Sequence, residues 1–406
     1  MTAQISQKWN RIRFGDLLEL SVKVDVKKGK SYDSLPMDLV STSNKFPEAF
    51  ETKVFSGGGT RFANEDTVFA RITPCLQNGK IAKIKNLKDG VGFGSTEFFV
   101  FRAKKDIADP DYIFYVAKSS EIRGPAEKSM TGASGRQRAD KGVVENVSIN
   151  APDISTQKQI ADVLSAYDDL IENNNRRIKI LEDIAQKIYT EWFVNFCFPG
   201  YEKAKFVMNG LPEGWEMKKI REIGRVVTGK TPPTSNKDNH GDYMPFIKTP
   251  DLHNSIFCIS TNESLSIQGV ETQKNKIIPR NSIVVSCIGT VGVVGITVRE
   301  SQTNQQINSI IPIDFSIREY LYFVCVGLKE HLKNIGANGA TMGNVNKEKF
   351  ETIETLLPTK DTLDAFHEVA SGLFEEILAF LLQNQNLKKS RDLLIPQLVT
   401  GKRELK

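Results

Sequence analysis

The chain has 406 residues, 40% of them hydrophobic and 25% charged, with a formal net charge of +5. That balance belongs to a folded, water-soluble protein of roughly two or three domains, and with no apolar run of about 18 residues it excludes a membrane-spanning helix. Five scattered cysteines and four histidines (His240, His253, His331, His367) show no CxxC or metal-ligand spacing, and residues 1–8 do not read as a signal peptide, so a cytoplasmic protein with reduced thiols is expected.

In chain order, Trp9 opens a basic stretch that runs to Asp16. Strands are predicted at residues 67–70, 81–84 and 97–101, where β-branched and aromatic residues cluster between turn signals. The loops between them are rich in donors: residues 56–61 with Arg61, and residues 71–80 with Arg71, Gln77, Asn78 and Lys80. Gly90-Val-Gly-Phe-Gly94 is no dinucleotide fingerprint, since no helix opens from it. A short helix is expected at residues 111–115. Loop 131–138 then combines glycines, which allow close backbone approach, with Ser134, Arg136, Gln137 and Arg138, which can donate to phosphates or base edges.

After Pro152, residues 157–192 repeat apolar side chains with a period of about 3.5, the pattern of a coiled-coil helix. The seam runs Ile160, Leu164, Tyr167, Ile171, Asn174, Ile178, Leu181, Ala185, Ile188, Trp192, and residues 155–157 supply the expected N-cap. At 1.5 Å per residue such a helix is about 54 Å long. A linker at 199–212 leads to Trp215 and a second basic stretch. Gly224-Arg-Val-Val-Thr-Gly-Lys-Thr231 matches the P-loop pattern letter for letter, but Pro232-Pro233 prevents the helix that a phosphate loop needs. Thr231-Pro-Pro-Thr234 lacks the leading Asn/Asp and the trailing aromatic of an adenine-methyltransferase motif. No active site is expected. Lys230, Thr231, Lys248, then Gln302, Asn304 and Gln305, then Thr341 and Asn344 are further candidate donors to phosphates or base edges, and Asn and Gln can bond an adenine edge bidentately. Pro358 opens a second heptad helix with a seam from Phe366 to Leu398 that includes Asn384, capped at residues 359–361 and bent or ended early by Pro396.

These elements occur twice. Trp9 and Trp215, Pro152 and Pro358, and Leu181 and Leu387 each differ by 206 positions. Residues 66–71 align with 281–286, and loop 131–138 with 338–345, where Arg136-Gln-Arg138 becomes Gly343-Asn-Val345. Residues 1–152 carry 24 Lys/Arg against 18 Asp/Glu, residues 153–200 carry 5 against 8, and residues 201–358 carry 18 against 16. Two basic modules related by an approximate two-fold axis suit a twofold polyanion, duplex DNA. Antiparallel pairing of the helices sets Asn174 opposite Asn384, an amide pair that would fix register. The expected architecture is α+β: module 1–152, helix 153–198, linker 199–212, module 213–358 and helix 359–400.

Residues 66–80, Leu211-Pro-Glu-Gly-Trp-Glu216 with residues 229–233, and Pro152 with residues 157–160 together resemble the DNA-specificity (S) subunit of type I restriction-modification systems. The resemblance spans the four-part order of nearly the whole chain. It implies two target-recognition domains that each read half of a bipartite, asymmetric site, and helices that set the gap. It also implies docking of two methyltransferase subunits that use S-adenosylmethionine, and of two motor-nuclease subunits that use ATP and Mg2+, with no catalysis by this chain. A fused methyltransferase-specificity enzyme, or a protein-binding decoy without DNA affinity, remains as an alternative at this stage.

Overall fold

A computed structural model describes residues 9–19, 23–208, 210–253, 255–336 and 344–405. The chain divides into two compact units, Met1–Asn175 with Gln383–Lys406, and Arg176–Leu382. Each unit is closed by one antiparallel strand pair. In the first, Trp9–Arg13 pairs with Ser148–Pro152, and Asn10 faces Ala151. In the second, Glu216–Lys219 pairs with Glu354–Leu357, and Glu216 faces Leu357, a shift of 206 on both strands. The exit from the first strand repeats as well. Phe14 N–H donates to the Val147 carbonyl and Ile220 N–H to that of Ile353, while the Arg13 and Lys219 amides donate to the carboxylates of Asp16 and Glu222 three residues on.

Inside this frame the first unit holds a four-stranded sheet, in the order Glu51–Val54, Ser31–Leu35, Val91–Gly94, Thr60–Ala63, and a three-stranded sheet, Ile81–Lys83, Thr67–Ala70, Phe98–Phe101. Thr67–Ala70 is buried along its whole length, so it reads as a continuous apolar run rather than an alternating one. Gly94 is required where it stands, because a Cβ would lie 2.4 Å from the Leu35 carbonyl. The helix Pro110–Lys118 packs Tyr112, Ile113 and Phe114 into a core with Phe14, Phe69 and Phe101; Asp109 caps it by accepting from the amides of Asp111 and Tyr112.

The second unit has a five-stranded sheet, Gly224–Thr228, Ile307–Pro312, Ile283–Ser286, Val294–Thr297, Phe257–Cys258, and a three-stranded sheet, Glu263–Leu265, His240–Ile247, Gln302–Thr303. Its central strand corrects the alignment of residues 66–71 with 281–286. Thr67 faces Phe101 and Ala70 faces Phe98, while Ile283 faces Ile310 and Ser286 faces Ile307. The equivalent of Ala70 is therefore Ser286, one position further along than the sequence alignment gives. The left-handed residues before each strand, Glu65 and Asn281, fall into the same register.

The long helices span Ile154–Tyr189 and Lys360–Val399. The first starts two residues earlier than a Ser155 cap would set it, and its cap is Asp153, whose carboxylate accepts from the Thr156 amide. Pro396 does not end the second helix, which continues to Val399; Thr400 Oγ1 covers the Pro396 carbonyl in its last turn. Within the first unit the helices meet through Asp168 with Arg391 and Asn174 with Asn384. Within the second they meet through Arg177 with Glu376. Partner numbers fall as positions rise, so the pairing is antiparallel. Asn174 Nδ2 donates to Asn384 Oδ1 and to Gln383 Oε1, both at 2.9 Å, and Asn384 Nδ2 donates to Asn175 Oδ1. The two buried amides thus bond each other, and each donates to a less buried amide on the facing helix.

Candidate nucleic-acid interface

In the first unit, the two donor-rich loops 71–80 and 131–138 are laced together. Thr73 N–H donates to the Gln137 carbonyl, the Gln137 amide donates to Thr73 Oγ1, and Ala139 N–H donates to the Arg71 carbonyl. Arg71 N–H in turn donates to the Glu97 carbonyl. These backbone bonds carry three charged side chains to one place. Arg138 forks onto the Glu97 carboxylate, with Nη2 at 2.7 Å and Nε at 3.0 Å, and Arg71 Nε lies 3.8 Å from it while its guanidinium covers the Phe99 ring. The bond from Arg138 holds the Glu97 carboxyl below its ordinary pKa against the opposing effect of burial. The guanidinium of Arg138 remains exposed, so it keeps donors for an acceptor from outside.

Loop tips surround this cluster. Gln77 and Asn78 are exposed on one loop, and Ser134 and Arg136 on the other. Arg123 steadies the first tip by donating to the Gln77 carbonyl. Arg61 lies elsewhere, on the strand Thr60–Ala63 with its guanidinium over Phe55. Lys80 is drawn inward: its ammonium donates to the Met37 carbonyl at 2.7 Å.

The second unit repeats the lacing with other side chains. Cys287 N–H donates to the Gln306 carbonyl and Val345 N–H to that of Cys287. In this register Arg71, Glu97 and Arg138 correspond to Cys287, Gln306 and Asn344, so Arg138 aligns with Asn344 rather than with Val345. Asn344 is exposed and Cys287 buried. The three charged side chains of one unit correspond to two amides and a buried thiol in the other.

Several expected readers prove structural. Gln302 is buried and spends its amide on the carbonyls of Val270 and Gln273, accepting from Gln273 Nε2. Asn304 is buried too and clamps Gln306, donating to its side chain at 3.0 Å and accepting from its amide. A run of amides in sequence does not show which point inward, and here the strand Gln302–Thr303 turns its side chains to the interior. Lys248 is tied to Glu263. Gln305 is exposed and accepts from Thr231 Oγ1, while Lys230 is exposed and its amide donates to the Thr303 carbonyl. Gln305 and Lys230 are thus the exposed members of this set, with Thr231 half-buried between them. Thr341 lies outside the described residues. The P-loop look-alike is a strand, Gly224–Thr228, that enters a Pro-Pro turn. Gly229 there is needed for close packing, since a Cβ would lie 2.2 Å from the Asn304 carbonyl.

Glu97 and Cys287 escaped the sequence reading, and Gln306 stood in it only as the end of an amide run. The signal that could have found them is the register of the central strand. Once Ala70 and Ser286 are aligned, each falls at the end of a paired strand. Among the described residues no group of three or more His, Cys, Asp or Glu could hold a metal ion, and no helix is long and apolar enough to cross a membrane.

A family model described as the type I restriction modification DNA specificity domain matches residues 7–183 and 212–381. The chain is 32% identical over 398 residues to the type I restriction enzyme HindI specificity subunit of Haemophilus influenzae, covering 83% of this chain and 86% of that one. It is 28% identical over 311 residues to the MjaIX specificity subunit of Methanocaldococcus jannaschii, covering 73% and 70%. In fold it is similar to the crystal structure of the type I restriction-modification S subunit from M. genitalium, with TM-score 0.55, 13% identity and coverage of 100% and 99%.

Proposed function

The chain belongs to the type I restriction-modification DNA specificity family, and from that premise we propose that each unit reads one half of a bipartite, asymmetric DNA site. The observation that carries this reading is the equivalent pair of clusters. Arg71, Glu97 and Arg138 suit guanine, whose O6 and N7 accept a forked guanidinium, while Gln306 and Asn344 suit adenine, which offers both a donor and an acceptor. Two different chemistries in one repeated frame give two different half-sites.

The helices of 36 and 40 residues serve as the ruler that sets the gap between the halves. They also dock two methyltransferase subunits. Exposed apolar side chains on the outer face support this, with Val163 and Leu170 seven residues apart in the first unit, and Ile180 and Ile184 in the second. In the assembled system the methyltransferase subunits use S-adenosylmethionine to methylate adenine, and two motor-nuclease subunits use ATP and Mg2+. This chain supplies recognition, in the cytoplasm, without catalysis.

The test is genome-wide adenine methylation in the host with and without this gene. Loss of a single split motif, two short halves around a fixed gap, is expected. A methylome unchanged by deletion in a strain with active methyltransferase subunits would overturn the reading.

A further inference from the structure

The first unit contains a strongly basic segment that the reading of base edges does not use. Residues 23–30 run Lys-Val-Asp-Val-Lys-Lys-Gly-Lys, with four lysines in eight positions. The alternation is structural: Val24 and Val26 are buried, and Lys23, Asp25, Lys27 and Lys28 face outward. The two valines pack with Tyr32, Phe55 and Phe93 in a small core of their own. Backbone bonds fix the rest of the segment. The Lys27 amide donates to Tyr32 Oη, Gly29 N–H to the Phe55 carbonyl, and Phe55 N–H to that of Lys30. Gly29 sits at φ +86°, the left-handed conformation that turns the lysine run into the strand Ser31–Leu35.

Two further cations converge on the same aromatic anchor. Lys53 lies on the outermost strand of the sheet, facing Tyr32, and Arg61 stacks over Phe55 at 5.0 Å. The patch thus has six cations against two carboxylates, Asp25 and Glu51. Both carboxylates contact a lysine, Asp25 at 3.9 Å from Lys27 and Glu51 at 2.5 Å from Lys53, in exposed pairs of small energetic consequence. Among the described residues, Lys23, Lys28, Lys30 and Arg61 form no ion pair. Lysines on an edge strand discourage sheet-to-sheet pairing, which accounts for Lys53. It does not account for Lys23, Lys27, Lys28 and Lys30, which precede the strand.

The second unit lacks the feature. Its strand His240–Ile247 occupies the same place as Ser31–Leu35, antiparallel to one neighbour and parallel to the other. The chain leading into it carries Lys230 and Lys237 against Asp238, and the strand itself carries Asp242.

We propose that strap 23–30, with Lys53 and Arg61, grips the phosphate backbone of duplex DNA beside the first half-site, adding affinity without reading sequence. The inference rests on the DNA-binding reading above and deepens it: the first unit anchors as well as reads, and the second chiefly reads. A row of ammonium groups on a held backbone suits phosphates, which need charge at roughly the right spacing and no base-specific geometry.

The test uses the full chain assembled with its methyltransferase subunit. Lys27→Gln, Lys28→Gln, Lys30→Gln and Lys53→Gln are combined in one variant, and the same four positions carry Arg in a second. Affinity for cognate and scrambled duplexes is measured across a salt series. Each phosphate contact removed should make the slope of log affinity against log salt shallower by about 0.9. Loss of three contacts would change the response between about 50 and 200 mM salt roughly 40-fold. Cognate and scrambled duplexes should weaken by the same factor, the methylated motif should not change, and the Arg variant should restore the slope. An unchanged slope, or a loss confined to cognate DNA, would overturn the anchor. If the unaltered complex showed no salt-dependent binding to any duplex, the DNA-binding reading itself would fall, and the anchor with it.

Discussion

The two units pack their long helices against equivalent short helices, Pro110–Lys118 and Arg318–Gly327, with opposite chemistry. In the first, Tyr115 donates to Asp168 at 2.6 Å and Arg391 pairs with the other oxygen of that carboxylate, both charged side chains being about 1% exposed. A shift of 206 along the long helices turns Asp168 and Arg391 into Phe374 and Ala185, and the matching residue for Tyr115 is Phe323. There the contact is two rings edge to face, 5.8 Å apart. Burial disfavours the charge on Arg391, but Asp168 and Asp392 outweigh it and hold its pKa above the ordinary value. Burial, then Asp168, push the Tyr115 phenol far up, so it stays a donor. One frame therefore accepts either a closed polar network or an apolar contact, and the polar version is not what makes the helices pair.

That conclusion can be broken. Arg391→Ala leaves Asp168 buried without its cation and should destabilise the first unit by about 3–5 kcal/mol. Importing the second unit's set, Tyr115→Phe with Asp168→Phe and Arg391→Ala, should be close to neutral or stabilising by about 1–4 kcal/mol. Urea unfolding followed in the first unit separates the two. A triple variant as unstable as the single one would mean that the ion pair is required by its surroundings.

The reading clusters sharpen the same comparison at smaller scale. Arg138→Ala should relax one base pair of one half-site, costing about 1–3 kcal/mol of discrimination, and Asn344→Ala should relax a position in the other half only. The methylated motif reports both. If either change blurred both halves, the clusters would be acting on folding or assembly rather than on bases.

Much of this frame is legible in the sequence because it is local and repeated. The 206-residue spacing of Trp9 with Trp215 and Pro152 with Pro358 marks the closing strand pairs, and the heptad seam places Asn174 and Asn384 on facing helices. What escapes is set by long-range pairing. The central strands lie 216 positions apart, ten more than the frame, because the chain before them differs in length between the copies. The sequence alignment across that gap misses the register by one residue, which changes which side chain sits at the reading end. Gln302 and Asn304 look like surface amides until the parallel pairing of Gln302–Thr303 with His240–Ile247, continued by the Asn304 amide donating to the Ile247 carbonyl, places them inside. The lysine strap was visible only as composition, since nothing local reveals that Val24 and Val26 anchor it.

The smallest expected effect concerns Lys118, whose counterpart in the second unit is Val326. It lines a cavity of about 310 Å3 with Lys80, Arg123 and Asp392. Burial, then the nearby Arg391, push its ammonium pKa from 10.5 down to about 8, with Asp392 and Asp168 resisting. A folded-state value below the unfolded one means that the unfolded chain binds more protons between these two pH values. Stability contributed at this site is therefore lowest below pH 8 and rises as pH climbs toward 10.5. Lys118→Met should raise stability at neutral pH by about 1 kcal/mol, with the advantage shrinking to nothing near pH 10.5. The buried thiols of Cys258, Cys287 and Cys325, which burial pushes up, titrate alike in both proteins and cancel in the difference. A difference independent of pH would mean that Lys118 matters for its packing alone, and that the first unit accommodates its charge as readily as the second accommodates valine.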